Sequence, residues 1–297
     1  MRATLAFLAF LAIAQLALAA ASFEEAAALF DDKDYATARS IAEPLAETGD
    51  ARAMAMLGAI YEKGLGTTIN LDTAIAWYTR AAEKNHAAAQ FALGMLYLDG
   101  SLGTINYEKG AGWVSKAAEA GSPEAQFNMG LLNSGAFDNQ PDWPQAFRWY
   151  VMSAERGFAD AQYNLGVLYL EGHGIEKNQV EAGKWFAKAA SQGNANAALD
   201  YGVLVFRGEG VKKDEKIGAQ WMLVAARRGN VVAQNRVARL YAFGKGVEPD
   251  PVEAQKWNLL ATQGGRPDAE LDGLLSKLTA EQLAEANNRA AAFKPEG

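Results

Sequence analysis

Apolar residues recur with helical spacing through most of the chain. In residues 51–63, Leu57, Ile60 and Tyr61 fall on one face at three- and four-residue steps, which predicts a helix there. Gly64-Leu65-Gly66 then stops it, because glycine reaches the left-handed conformation a helix C-cap often needs. A second apolar face, formed by Ile75, Trp77, Tyr78, Ala81 and Ala82, predicts a second helix over about 71–84. This two-helix pattern repeats. Trp77, Trp113, Trp149, Trp185, Trp221 and Trp257 stand 36 residues apart, and only Trp143 falls outside the series. The same shift aligns a column of alanines at 53, 89, 125, 161, 197, 233 and 269. Another column reads Gly58, Gly94, Gly130, Gly166, Gly202 and Ala238.

A short polar residue precedes the second helix in every repeat: Asn70, Asn106, Asp142, Asn178, Asp214 and Asp250. Such side chains accept hydrogen bonds from the free amides of a first turn, so the column predicts six N-caps. Glycine in mid-helix costs roughly 1 kcal/mol relative to alanine. Its recurrence at 58 and the equivalent positions predicts close helix contact, with the repeat tryptophan laid over bare backbone. One helix pair cannot bury its apolar stripe alone, so successive pairs must stack. The expectation is an all-α fold, a right-handed α/α superhelical solenoid of stacked helix-turn-helix repeats. Six repeats span 51–266, preceded by a degenerate helix pair at 20–50 and closed by capping helices at 267–297. In the cap, Thr279 and Gln282 have capping-box spacing, and Leu283 and Phe293 can cover the last repeat.

The repeat resembles the Sel1-like repeat family, a cousin of the tetratricopeptide repeats. Residues 159–194 carry its pattern most fully: Ala161, Leu165, Gly166, Tyr169, Gly172, Gly174, Ala182, Trp185, Phe186, Ala189, Ala190 and Gly193. The resemblance implies a scaffold that binds a protein or peptide partner. Some members restrain the sensing domain of a membrane kinase, and others engage cell-wall enzymes. Cysteine-rich relatives have been linked to binding or hydrolysing β-lactams. This chain has no cysteine, so that activity is not carried over.

The first residues read as an export signal. Arg2 supplies a positive start, residues 3–18 are apolar, and Ala17-Leu18-Ala19 offers a small-x-small cleavage pattern. The competing reading, an uncleaved anchor, is disfavoured because the run is short for a span of roughly 20 residues. Residues 1–19 are therefore expected to be a signal peptide, placing the mature protein in a bacterial periplasm or outside the cell, with no integral membrane segment. The formal net charge is −7, which gives nucleic-acid binding no electrostatic support. The absence of cysteine removes disulfides, thiolate metal sites and thiol catalysis.

No catalytic constellation stands out, and no cofactor or metal is expected. Gly-x-Gly recurs at 64–66, 172–174, 208–210 and 244–246, without the third glycine or the Lys-Ser/Thr of a phosphate loop, so these are turn glycines. His86 and His173 fall in variable columns, which suggests exposed loops. Binding is expected where repeats differ. Tetratricopeptide-like solenoids line a concave face with the first helix of each pair. There one column reads Met56, Ala92, Asn128, Asn164, Asp200 and Arg236, with Arg239 one turn on. Asn128 and Asn164 offer amides to an extended peptide; the plainer reading is a solvated face. Repeat three replaces the usual turn with residues 133–144, where Phe137 and Trp143 either form an exposed anchor or fold back onto the helix. Residues 22–62 hold nine acids and three bases, whereas 205–240 hold eight bases and three acids, a polarity that could steer a charged partner. The expected function is an exported adaptor or regulator. The alternatives are a hydrolase directed at cell wall or β-lactams, and a structural part of an envelope assembly.

Overall fold

The computed structural model describes residues 22–136 and 140–296. The expected signal peptide at 1–19 and Phe137 lie outside the described residues. Sixteen helices and no strand occur among the described residues. The chain divides into two compact units, one up to Met129 and one from Gly130.

The first unit holds α1 (Phe23–Asp31), α2 (Tyr35–Glu47), α3 (Ala51–Lys63), α4 (Leu71–Glu83), α5 (Ala87–Leu98) and α6 (Tyr107–Glu119), each packed on the next through α6. It also takes the first part of α7 (Pro123–Asn133). Its core gathers Met54, Leu57, Tyr78, Leu93 and Leu96 around the alanines of the repeat. The second unit continues with α8 (Trp143–Glu155), α9 (Ala159–Glu171), α10 (Gln179–Ser191), α11 (Ala195–Arg207) and α12 (Glu215–Arg227). It ends with α13 (Val231–Phe243), α14 (Pro251–Gln263), α15 (Ala269–Leu275) and α16 (Ala280–Ala291). From α8 to α15 each helix packs on its successor, and α16 lies on α14. Phe186, Met222, Val237, Trp257 and Leu271 fill this second core.

Local chemistry sets these boundaries. Each of the six Asx residues before a second helix accepts the backbone N–H three residues on, at 2.9–3.1 Å. Such caps are typically worth about 1 kcal/mol each. The first helices α3, α9, α11 and α13 end at Gly64, Gly172, Gly208 and Gly244 with φ of 63–80°, where a side chain would be strained. A further tie recurs on the first helices. Gln90, Gln126 and Gln162 each donate a side-chain N–H to the carbonyl eight residues back, Ala82, Ala118 or Ala154, at 3.1 Å. Each bond fastens a first helix to the end of the helix before it. At the C-terminus Thr279 and Gln282 form the reciprocal capping box, and the Phe293 ring lies edge-on to Trp257 at 5.4 Å.

The glycine column packs differently from the sequence expectation. The residue after the tryptophan, not the tryptophan, covers the bare backbone. Tyr78 lies over Gly58, Val114 over Gly94, Tyr150 over Gly130 and Phe186 over Gly166. A Cβ added at Gly166 would sit 2.6 Å from the Phe186 ring. Successive helical positions turn by about 100°, so placing Phe186 inward swings Trp185 to the flank. There the tryptophans carry cations over their rings: Arg80 on Trp77 at 4.4 Å, Lys116 on Trp113 at 4.0 Å and Lys188 on Trp185 at 3.7 Å.

Candidate functional site

The variable column lies one residue before an inward apolar position of each first helix: Leu57, Leu93, Met129, Leu165, Tyr201 and Val237. In the first unit it presents Met56, Ala92 and Asn128, all half-buried. Asn128 donates its side-chain amide to the Glu124 carbonyl of its own helix at 2.8 Å.

In the second unit the column becomes Asn164 on α9, Asp200 on α11 and Arg236 on α13. Here side chains reach across helices. Asn164 and Ser134 hydrogen-bond the Tyr150 hydroxyl, whose ionisation burial pushes up. The Tyr163 hydroxyl bonds Asp200, and desolvation together with that carboxylate pushes Tyr163 up to about 12. Burial holds Asp200 above the usual carboxylate range, while Tyr163 and Arg236 act in the opposite direction. Arg236 is exposed as a residue, yet partial desolvation of its head lowers its pKa, and Arg207 lowers it further. Tyr163, Asp200 and Arg236 thus form a polar ladder over α9, α11 and α13.

One cavity adjoins this ladder through Arg236, and a second lies beside Asn164. The first, about 190 Å³, is walled by Val203, Phe206, Met222 and Leu240 and rimmed by Arg207, Arg236 and Arg239. Arg239 is clamped from behind: its Nε and Nη2 donate to the Asp268 carboxylate at 2.7 and 2.8 Å, and Nη1 lies 3.0 Å from Glu270. It serves as a strut between α13 and the start of α15. Asp268 caps α15 as well, and the Arg239 bond leads the interactions that lower its pKa to about 2.

The second cavity, about 200 Å³, joins Asn164 and Trp143 to Ser134, Tyr150, Glu171 and His173 over an apolar floor. Trp143 is the first residue of α8, behind the Asp142 cap. It is half-buried, and its ring stacks on His173 at 4.5 Å and 16°. Nε2 of His173 lies 2.9 Å from the Glu171 carboxylate. Trp143 therefore lies against the turn of the following repeat, neither free in solvent nor folded back on its own helix. The histidines are less idle than their variable columns imply. His173 helps wall this cavity, and His86 caps α5 through Nδ1 at 3.3 Å from the Ala89 N–H.

The charged segments are partly neutralised where they stand. In the acidic one, Arg52 pairs with Glu24 at 2.9 Å and Asp50 at 3.0 Å, and Glu47 meets Arg80 at 3.1 Å. In the basic one Lys213 meets Glu215 at 2.8 Å, whereas Arg207 reaches Glu209 only at 3.6 Å. Among the described residues there is no group of three or more His, Cys, Asp or Glu able to hold a metal ion. None of the described helices is long and apolar enough to cross a membrane.

Comparison with known proteins returns one repeat pattern. Residues 51–86, 87–122, 123–158, 159–194, 195–230 and 231–265 each match the model of the Sel1 repeat. A Sel1 repeat protein from Oxalobacter formigenes superposes with a TM-score of 0.73 at 31 % identity, over 82 % of this chain and 100 % of that one. A protective antigen present in uropathogenic Escherichia coli strains, c5321, which displays an SLR fold, gives a TM-score of 0.56 at 28 % identity. That match covers 94 % of this chain and 70 % of the antigen. No curated protein matches the chain.

Proposed function

This chain belongs to the Sel1 repeat family, and from that premise we propose that it receives an extended segment of a partner protein across α9, α11 and α13. The repeats are the scaffold, and the partner is a protein or peptide. The observation that carries this reading is the polar ladder of Tyr163, Asp200 and Arg236 beside an apolar cavity rimmed by arginines. Hydrogen-bonding groups along a row of first helices suit a peptide backbone, and an apolar cavity suits one of its side chains. Asn164 and Trp143 extend the same surface at the second cavity.

The protein acts, in this proposal, as an adaptor or regulator in a bacterial periplasm after losing residues 1–19. The apolar stretch ending in Ala17-Leu18-Ala19 supports that location. N-terminal sequencing of the envelope-fractionated protein should read Ala20 first. A mature chain beginning at Met1 would remove the periplasmic assignment.

A photo-crosslinking residue at Asn196, exposed one turn before Asp200 on α11, tests the binding surface itself. It should capture a partner in cells, while the same residue at Lys184 on α10 should not. Equal capture at both positions would sink the proposed surface.

A further inference from the structure

The cavity between α11, α12 and α13 carries chemistry that narrows the peptide it would accept. Its walls are Val203, Phe206, Met222 and Leu240, which offer nothing to a polar side chain. Three arginines stand around it, but they differ in what they have left to give. Arg239 is committed to Asp268 at 2.7 Å and Glu270 at 3.0 Å. Arg207 keeps 56 % of its side chain exposed and meets Glu209 only at 3.6 Å. Arg236 has Asp200 as the one acid favouring its charge among the described residues, while Arg207 and Arg266 oppose it.

We propose that this cavity takes an apolar side chain standing next to an aspartate or glutamate in the partner's peptide, with that carboxylate on Arg236 and Arg207. The inference rests on the peptide-binding reading above and specifies its ligand. Guanidinium groups recognise carboxylates with paired, charge-assisted hydrogen bonds. An acid placed there would also relieve the repulsion among Arg207, Arg236 and Arg266. A basic segment would meet that repulsion instead, and a purely apolar one would leave it in place. The wider surroundings agree, since residues 205–240 hold eight bases against three acids.

The test is selection from a displayed library of random dodecapeptides on the full mature chain, run in parallel on Arg236→Ala and Arg207→Glu. Both substituted residues are exposed, and melting curves of both variants, which should match the wild type, check that they fold. The wild type should enrich peptides that place Leu, Ile, Met or Phe beside Asp or Glu, and both variants should lose that class. A synthetic peptide of the enriched sequence should bind the wild type at least about tenfold more tightly than either variant, and more weakly as salt rises. Enriched peptides without the acidic neighbour, or the same peptides on all three proteins, overturn the inference and leave peptide binding standing. No enrichment above a blank surface removes the peptide-binding reading and the inference with it. A wild-type dimer that dissociates in Arg236→Ala would show a second copy on this face and overturn the inference as well.

Discussion

The two units use one construction and differ in what they put on its surface. In both, an Asx residue caps the second helix and a large side chain lies over a mid-helix glycine, Tyr78 over Gly58 in the first and Phe186 over Gly166 in the second. Their variable columns diverge. Met56 and Ala92 have no polar group to offer, and Asn128 turns its amide back into its own helix. Asn164, Asp200 and Arg236 reach neighbouring helices or cavities. The stacking columns thus set the fold in every repeat, and the column between them is where one repeat comes to differ from the next.

The largest predicted effect attacks the shared construction. Gly58→Leu and Gly166→Leu should each destabilise by about 1–3 kcal/mol, because the added carbons meet the Tyr78 or Phe186 ring. Urea denaturation should show similar losses for the two. A loss in one unit only would mean that the glycine column does not do the same job in both.

The next effect belongs to the second unit alone. Asp268 has a folded pKa of about 2, below its unfolded value, so its ionised form, held first by Arg239 and then by Asn235 and the Leu271 N–H, adds stability above the ordinary carboxylate range. That contribution, on the order of 2 kcal/mol, is lost as pH falls from about 4 toward about 2. Asp268→Asn keeps a residue able to cap α15 and removes the ion pair. The urea midpoint of the wild type should therefore fall more steeply over this window than that of Asp268→Asn. Parallel curves would deny Arg239 its role as a strut.

The smallest effect on stability separates the two asparagines. Asn164→Ala and Asn128→Ala should each change stability by less than about 1 kcal/mol. Partner binding should weaken in Asn164→Ala and hold in Asn128→Ala, measured by titration with the crosslinked partner. Equal weakening would return Asn128 to the binding surface despite its bond to Glu124.

Much of the fold could be read from the sequence, because its rules recur in most or all of the repeats. The first helix expected at 51–63 is Ala51–Lys63, and all six Asx caps form. Column alignment finds which positions recur, but it does not fix the rotation of one helix against the next. That is why Trp77 was expected over Gly58, where Tyr78 lies. The candidate site was less legible, for a related reason. His173 stacks on Trp143, and Tyr163 bonds Asp200, but each pair occurs once and joins residues from different repeats. A register of recurring columns treats such single pairs as variation. Arg239 shows the opposite limit, since its position suggested an open binding face and its charge is committed to Asp268 and Glu270.

The central claim is that partner binding resides in the variable column of the second unit and not in the stacking columns. Its most direct test is the partner's affinity for Asn164→Ala combined with Arg236→Ala, measured together with the thermal melt. A loss of at least about tenfold in affinity with the melt unchanged is the predicted result. Undiminished affinity in a folded double variant would contradict it.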